Sequence, residues 1–227
     1  MDFELSEEQR LLVDSARAFA AAELAPHAAD WDRDHHFPVD VIKRAAQQGF
    51  LSLYISEEDG GLGLSRLTSS LIFEQLSAGC VATAAFMTIH NMASNMLACF
   101  GDETLKSQWL PRLISGELLA SYCLTEPDAG SDAARLRTRA RREGDEYVLD
   151  GSKCFISGAG SSDVLIVMAR TGEDGAKGIS CFLVPGDTAG VKYGRNELKM
   201  GWRSQPTRTI TFEGVRIPAG NRIAPEG

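Results

Sequence analysis

The sequence predicts an α+β multidomain protein: an all-α helical domain over residues 1–118, then an antiparallel β-barrel or sandwich domain over 119–227. Two observations carry this. Apolar residues recur at helical spacing up to about residue 118, and from about Leu119 the apolar period changes to two. A third sets the join: no low-complexity linker or internal repeat separates the halves.

The helices can be placed one by one. Ser6-Glu-Glu-Gln9 is a capping-box pattern, with Ser6 accepting from the backbone and Gln9 reaching back. Leu12, Ala16, Phe19 and Leu24 follow at helical spacing, and Pro26 marks the end. A second helix is expected from Val39 to Gln48, stopping at Gly49. "SEEDGGLGLS" is a turn-rich break, and Ser65 or Thr68 opens a third helix ending near Gly79. The fourth, Ala82 to Phe100, is apolar almost all round and should be buried on several sides. A short helix follows Asp102 and ends near Ser115-Gly116. Beyond it, "EYVLDG", "KCFISG", "DVLIVMAR", "ISCFLVP" and "TRTITFEGVRIP" are short β-branched or aromatic runs bounded by Gly, Asp and Pro, which reads as strands.

Composition narrows the function classes. At 227 residues and 44% hydrophobic the chain can bury a real core, and a net charge of −8 argues against a nucleic-acid or anionic-membrane partner. One cluster opposes that balance: Arg135, Arg137, Arg139, Arg141 and Arg142, spaced to share a strand face, are either solvated or bind an anion. Five scattered cysteines (Cys80, Cys99, Cys123, Cys154, Cys181) with no CxxC pair read as reduced thiols. The opening "MDFELSEEQRLL" has no leader grammar, and no apolar run approaches the roughly 18 residues of a bilayer span. A cytoplasmic protein is the expectation.

Familiar nucleotide motifs are missing. There is no GxxxxGK[ST], and no GxGxxG between a strand and a helix; Gly158-Ala-Gly160 reads as a turn. His35-His36 has no partner at ligand spacing, and His90 in the apolar fourth helix reads as a satisfied core histidine. The strongest local signal is "YCLTEPDAGSD", Tyr122–Asp132. Tyr122 to Leu124 reads as strand, Pro127 and Gly130 as a turn, and Ala129, Gly130 and Ser131 leave room beside the backbone. N–H donors, the Thr125 and Ser131 hydroxyls and a flat apolar wall suit a planar, polar-edged ring better than a bare phosphate. An ordinary strand–turn with an Asp cap competes with that reading. "KCFISGAG" adds Phe155 and, two residues on, Ser157 on the same side of a strand, unless Phe155 is plain core. The third distinctive run is "KMGWRSQPTRTITFEGVRIP".

These runs, in this order, resemble the acyl-CoA dehydrogenase family of flavoproteins, from "LSEEQRLLVDSARAFAAAELAPHA" through "DGGLGLS" and "LTEPDAGSD" to the F-x-x-V-x-[IV]-P ending. The "LTEPxAGSD" loop is its most specific part. The resemblance implies FAD against the β domain, contacted by Tyr122, Cys123, Leu124, Thr125, Gly130 and Ser131 and by Phe155, Ile156 and Ser157. Thr125 would bond the ring's polar edge, Ser157 would sit near flavin N5, and Ser131 would touch the pantetheine of an acyl-CoA thioester. Phe155 departs from the Trp many members carry, keeping an aromatic face without an N–H donor. Ala84, Met87 and Thr88 would line the acyl pocket, or else pack the core. The implied reaction is α,β-dehydrogenation of a short or branched acyl-CoA, with electrons passed to electron-transferring flavoprotein by a homotetramer. The implied base is a glutamate in a C-terminal helical domain. No Glu in residues 1–227 matches it, so catalytic residues are expected beyond Gly227 and the chain reads as a fragment or truncated product, inactive alone. A flavin monooxygenase or nitroalkane oxidase on the same scaffold, or a non-catalytic flavin- or partner-binding protein, are the alternatives.

Overall fold

A computed structural model describes residues 4–227; Met1–Phe3, the start of the segment read for a leader, lie outside the described residues. Helix α1 (Glu7–Phe19) opens with the expected capping box: Ser6 Oγ accepts from the Gln9 N–H at 3.1 Å, and Gln9 Oε1 from the Ser6 N–H at 3.1 Å. It runs on into a π-helical turn, Ala20–Leu24. The next helix, α2 (Ala28–Asp34), was not expected; it buries no residue, so it carries no apolar stripe to read. Then follow α3 (Val39–Gln47), α4 (Arg66–Gly79), α5 (Val81–Phe100) and α6 (Glu103–Ile114). Ser65 caps α4 and Asp102 caps α6, each accepting from the N–H three residues on. Ala16, Ile42, Leu76, Phe86 and Met87 are part of the helical core.

The sheet begins with β1 (Ala120–Cys123) and β2 (Arg139–Glu143). "EYVLDG" and "KCFISG", expected as two strands, form one long strand, β3 (Glu146–Ser157), irregular at Leu149/Gly151 and Lys153/Ile156. β4 (Val164–Arg170), β5 (Ile179–Pro185), β6 (Val191–Asn196), β7 (Thr207–Pro218) and β8 (Arg222–Ile223) complete it. β6 was not foreseen, its pattern being broken by Gly194 and charged neighbours. The sheet order is β6-β7-β3-β2-β4-β5-β8. Its pairs are antiparallel except on one edge of β4, where β1 runs parallel along Val164–Val167 and β2 touches only at Arg170. Tyr147, Leu149 and Phe212 from one end of this path share a core with Leu165, Val167 and Phe182 from the other, so the sheet folds over itself.

β4 and β5 read as continuous apolar runs because both their faces are buried. Leu165, Val167, Phe182 and Val184 face the β core, while Val164, Ile166 and Leu183 join Ala93 and Leu97 of α5 and Leu110 and Leu113 of α6. Helices and sheet therefore share a core rather than merely abutting.

His90 ties this junction. It is fully buried, its Nε2 donates to the Leu113 carbonyl at 3.1 Å, and its Nδ1 accepts from the Ala120 N–H at 3.1 Å, as a satisfied core histidine should. Burial pushes its pKa from 6.5 down to about 4. The unfolded chain thus takes up a proton first as pH falls, and stability is lost between those two values, by about 3 kcal/mol at full effect. Urea midpoints measured from pH 7 to 4.5 should fall more steeply for the wild type than for His90→Gln; parallel slopes would refute the assignment.

Candidate functional site

The opening motif sits where the edge of β4 changes partner. β1 leaves that edge at Cys123 and β2 rejoins it at Arg139, so residues 124–138 form a loop whose two ends lie along one strand. Inside it Glu126 and Ala129 exchange backbone hydrogen bonds at 3.0 and 3.1 Å, with Pro127 and Asp128 exposed at the tip. That pair closes the turn. Gly130, expected to force it, does not have a positive φ; instead, nothing lies within 4 Å of where its Cβ would be. The glycine's effect is open space beside the backbone.

The loop is held from behind by an ion pair. Lys153 is 0% exposed and Glu126 7% exposed, and Lys153 Nζ donates to Glu126 Oε1 at 2.7 Å and to the Leu124 carbonyl at 3.0 Å. Glu126 also accepts from the N–H groups of Arg137 (2.6 Å) and Thr138 (2.9 Å). Burial works against its charge, but these donors, Lys153 foremost, outweigh burial and hold its carboxyl below the ordinary value. Burial likewise lowers Lys153, against the pull of Glu126. Sequence reasoning missed Lys153 altogether. The available signal was one Lys flanked by apolar residues in "KCFIS".

The second run lies beside the loop, because the Cys154 N–H donates to the Thr125 carbonyl at 2.9 Å. Between Lys153 and Ile156 the strand carries an extra residue relative to β7, and Phe155 adopts φ +58°. A non-glycine residue there is strained, and the bulge turns the ring out to 65% exposure. The simple alternation that put Phe155 and Ser157 on one side therefore does not carry through this bulge, and Phe155 is not core.

The remaining residues divide cleanly. The hydroxyls of Thr125, Ser131 and Ser157, and the N–H groups of Gly130 and Ser131, have no hydrogen-bond partner among the described residues. Tyr122 and Leu124 are half-buried, and burial raises the Tyr122 phenol to about 12. Cys123 and Ile156, expected among the ring contacts, send their side chains into the β core. Burial pushes the Cys123 thiol up to about 12, so strand geometry leaves only backbone for a ligand at these two positions. Ala84 and Met87 lie in the helical core, and the Thr88 hydroxyl donates to the Ala85 carbonyl at 2.7 Å. Among the described residues there is no cluster of metal-ligating side chains, and no helix is long and apolar enough to cross a membrane. All five cysteines are free.

An exposed aromatic face, unpaired hydroxyl and amide donors and an open flank at Gly130 fit a planar ring with polar edges, such as the isoalloxazine of FAD. The sequence agrees with that chemistry. Residues 6–117 match the family model for the acyl-CoA dehydrogenase N-terminal domain and residues 121–215 the model for the middle domain. The chain belongs to the acyl-CoA dehydrogenase family. Among curated relatives, the mitochondrial isobutyryl-CoA dehydrogenases of Bos taurus and Dictyostelium discoideum are 50% and 49% identical over 98% of the chain. The chain spans about half, 54%, of the length of each. A glutaryl-CoA dehydrogenase from Mycobacterium smegmatis, solved in complex with FADH2, superposes with TM-score 0.91 at 31% identity, covering 98% of this chain and 57% of its own. A structure described as an electron transferring flavoprotein of Acidaminococcus fermentans superposes with TM-score 0.94 at 33% identity, covering 100% and 60%. The family's helical domain followed by a mostly antiparallel sheet is the fold found here.

Proposed function

We propose that this chain forms the flavin-binding half of an FAD-dependent acyl-CoA dehydrogenase acting on a short branched acyl-CoA, with isobutyryl-CoA the leading substrate. The observation that carries the reading is the Cys154–Thr125 hydrogen bond, which brings the exposed Phe155 ring beside the loop's unpaired donors. FAD, when bound, supplies the acceptor for the hydrogen that leaves the acyl β-carbon as hydride. Thr125 donates to the polar edge of the ring, Phe155 covers its face, Ser157 lies near its reacting edge, and Ser131 holds the pantetheine arm. Glu126 is committed to three donors and kept ionised behind the loop, so it does not serve as the base. The α-proton is taken by a carboxylate outside residues 1–227. A homotetramer passing electrons to electron-transferring flavoprotein completes the proposal.

Two measurements test it. Thr125→Val should weaken FAD binding to this chain about tenfold, the worth of one hydrogen bond of about 1.4 kcal/mol; unchanged flavin fluorescence titrations would defeat the ring assignment. Anaerobic isobutyryl-CoA should bleach the flavin band of the FAD-loaded, full-length gene product. No bleaching with any short acyl-CoA would defeat the dehydrogenase reading.

A further inference from the structure

The Ser157 hydroxyl stands at the end of β3 with no partner among the described residues, yet the peptide that follows it is held on both sides. Ser121 Oγ donates to the Ser157 carbonyl at 2.6 Å, and the Gly158 N–H donates to the Pro206 carbonyl at 2.8 Å. A peptide unit is planar, so fixing its C=O and its N–H fixes the plane. Upstream, Ser157 is paired in register with Thr207 of β7. The two restraints together leave Ser157 one backbone setting, and its Cα–Cβ bond one direction. Ser121 is fully buried on β1, and its oxygen also bonds Ser162 Oγ at 2.8 Å. The Ser162 N–H donates to the Gly158 carbonyl at 2.9 Å, which closes a ring of bonds from Ser121 through Ser157 and Gly158 to Ser162. Buried rings of this kind strengthen their members. The strand behind Ser121 is equally fixed: the Ala120 N–H donates to His90 Nδ1 at 3.1 Å and the Leu119 N–H to Asp163 Oδ2 at 2.8 Å.

We propose that Ser121 is a positioning residue: through the Ser157 carbonyl it aims the Ser157 hydroxyl at the reacting edge of the flavin. The proposal rests on the reading above that puts Ser157 at that edge. Ser121 acts through Ser157 and not on the ring, because Tyr122, the candidate ring contact beside it, points to the opposite face of β1. Without the Ser121 donor the Ser157 carbonyl loses its partner, and a buried carbonyl turns to find another. The plane that sets the Ser157 hydroxyl turns with it.

Fluorescence titration with FAD and the visible band of the bound flavin test this without turnover. Ser157→Ala should weaken FAD binding about tenfold and move the band. Ser121→Ala should weaken it about fivefold and move the band the same way. Action through Ser157 has its own signature in a double-variant cycle. In the Ser157→Ala background, Ser121→Ala should cost no further FAD affinity, although it still lowers the urea midpoint. Ser121→Cys, which keeps the shape and a weak donor, should fall between wild type and Ser121→Ala. Should Ser121→Ala not fold, Ser121→Cys in both backgrounds decides by the same comparison. A loss of FAD affinity that persists in the Ser157→Ala background overturns the proposal, since Ser121 then acts by packing alone. So does an unchanged affinity and band when Ser121 alone is replaced. The underlying flavin reading fails separately, and takes the proposal with it, if Ser157→Ala itself leaves both affinity and band unchanged.

Discussion

Lys153→Met is expected to destabilise the protein by about 3–5 kcal/mol, because it leaves the Glu126 carboxylate buried without its cation. The expectation follows from position. Lys153 is wholly buried on β3, and its ammonium joins the Leu124 carbonyl and Glu126 on the far side of the loop. Methionine keeps much of the side-chain volume, so the loss is electrostatic, not a cavity. Lys153→Met/Glu126→Gln should recover part of it, since no unpaired charge then stays inside. A double variant no more stable than the single one, in urea unfolding at pH 7, would sink this account. pH gives a second reading of the same pair. Glu126 has a folded value below its ordinary 4.5, so the stability it contributes is present above that value and lost as pH falls through the folded one. The single variant should therefore show a smaller acid loss. Because Lys153 bonds the residue before Thr125, its removal should also weaken FAD binding.

Gly158→Ala carries the second large effect, about 2–5 kcal/mol, from a left-handed backbone and a core overlap together. Gly158 has φ +77°, and an added Cβ would lie 2.4 Å from Phe86 Cε2, 2.6 Å from Ser162 Oγ and 2.8 Å from Ser121 Oγ. None of these can move away freely. Phe86 is fully buried and packs edge-on to Phe37 at 4.8 Å, while Ser121 Oγ donates to the Ser157 carbonyl at 2.6 Å and bonds Ser162 at 2.8 Å. Gly144 is the matched control: φ is +66° and nothing lies within 4 Å of its missing Cβ. Gly144→Ala should show the backbone cost alone, about 1–2 kcal/mol. Equal unfolding midpoints for the two variants would refute the overlap.

Features written into neighbouring residues were legible. The caps at Ser6, Ser65 and Asp102 involve partners three residues away, and the helices behind them start where the sequence predicts. What escaped depends on distance along the chain. Lys153 and Glu126 are separated by 27 residues, and a lone Lys in a strand gives no hint of its partner. The parallel pairing of β1 with β4 arises from chain that leaves and returns around β2 and β3, where antiparallel hairpins are the simpler local expectation. The Phe155 bulge is set by register against β7, which the residues of β3 alone do not specify. At the candidate site, the motif was read as a cradle from its small residues and hydroxyls. The structure adds that Gly130 gives space rather than bend, that Glu126 faces inward, and that Cys123 and Ile156 offer only backbone.

The core shared by α5, α6, β4 and β5 limits how this protein can be rearranged. Its two family-model regions meet in sequence between residues 117 and 121, an inviting cut point for recombination. Severing there would strip Ala93, Leu97, Leu110 and Leu113 from Val164, Ile166 and Leu183, and would leave the Ala120 amide without His90. The sheet is thus no cassette to be swapped alone between scaffolds; a graft that keeps it folded must bring α5 and α6 along.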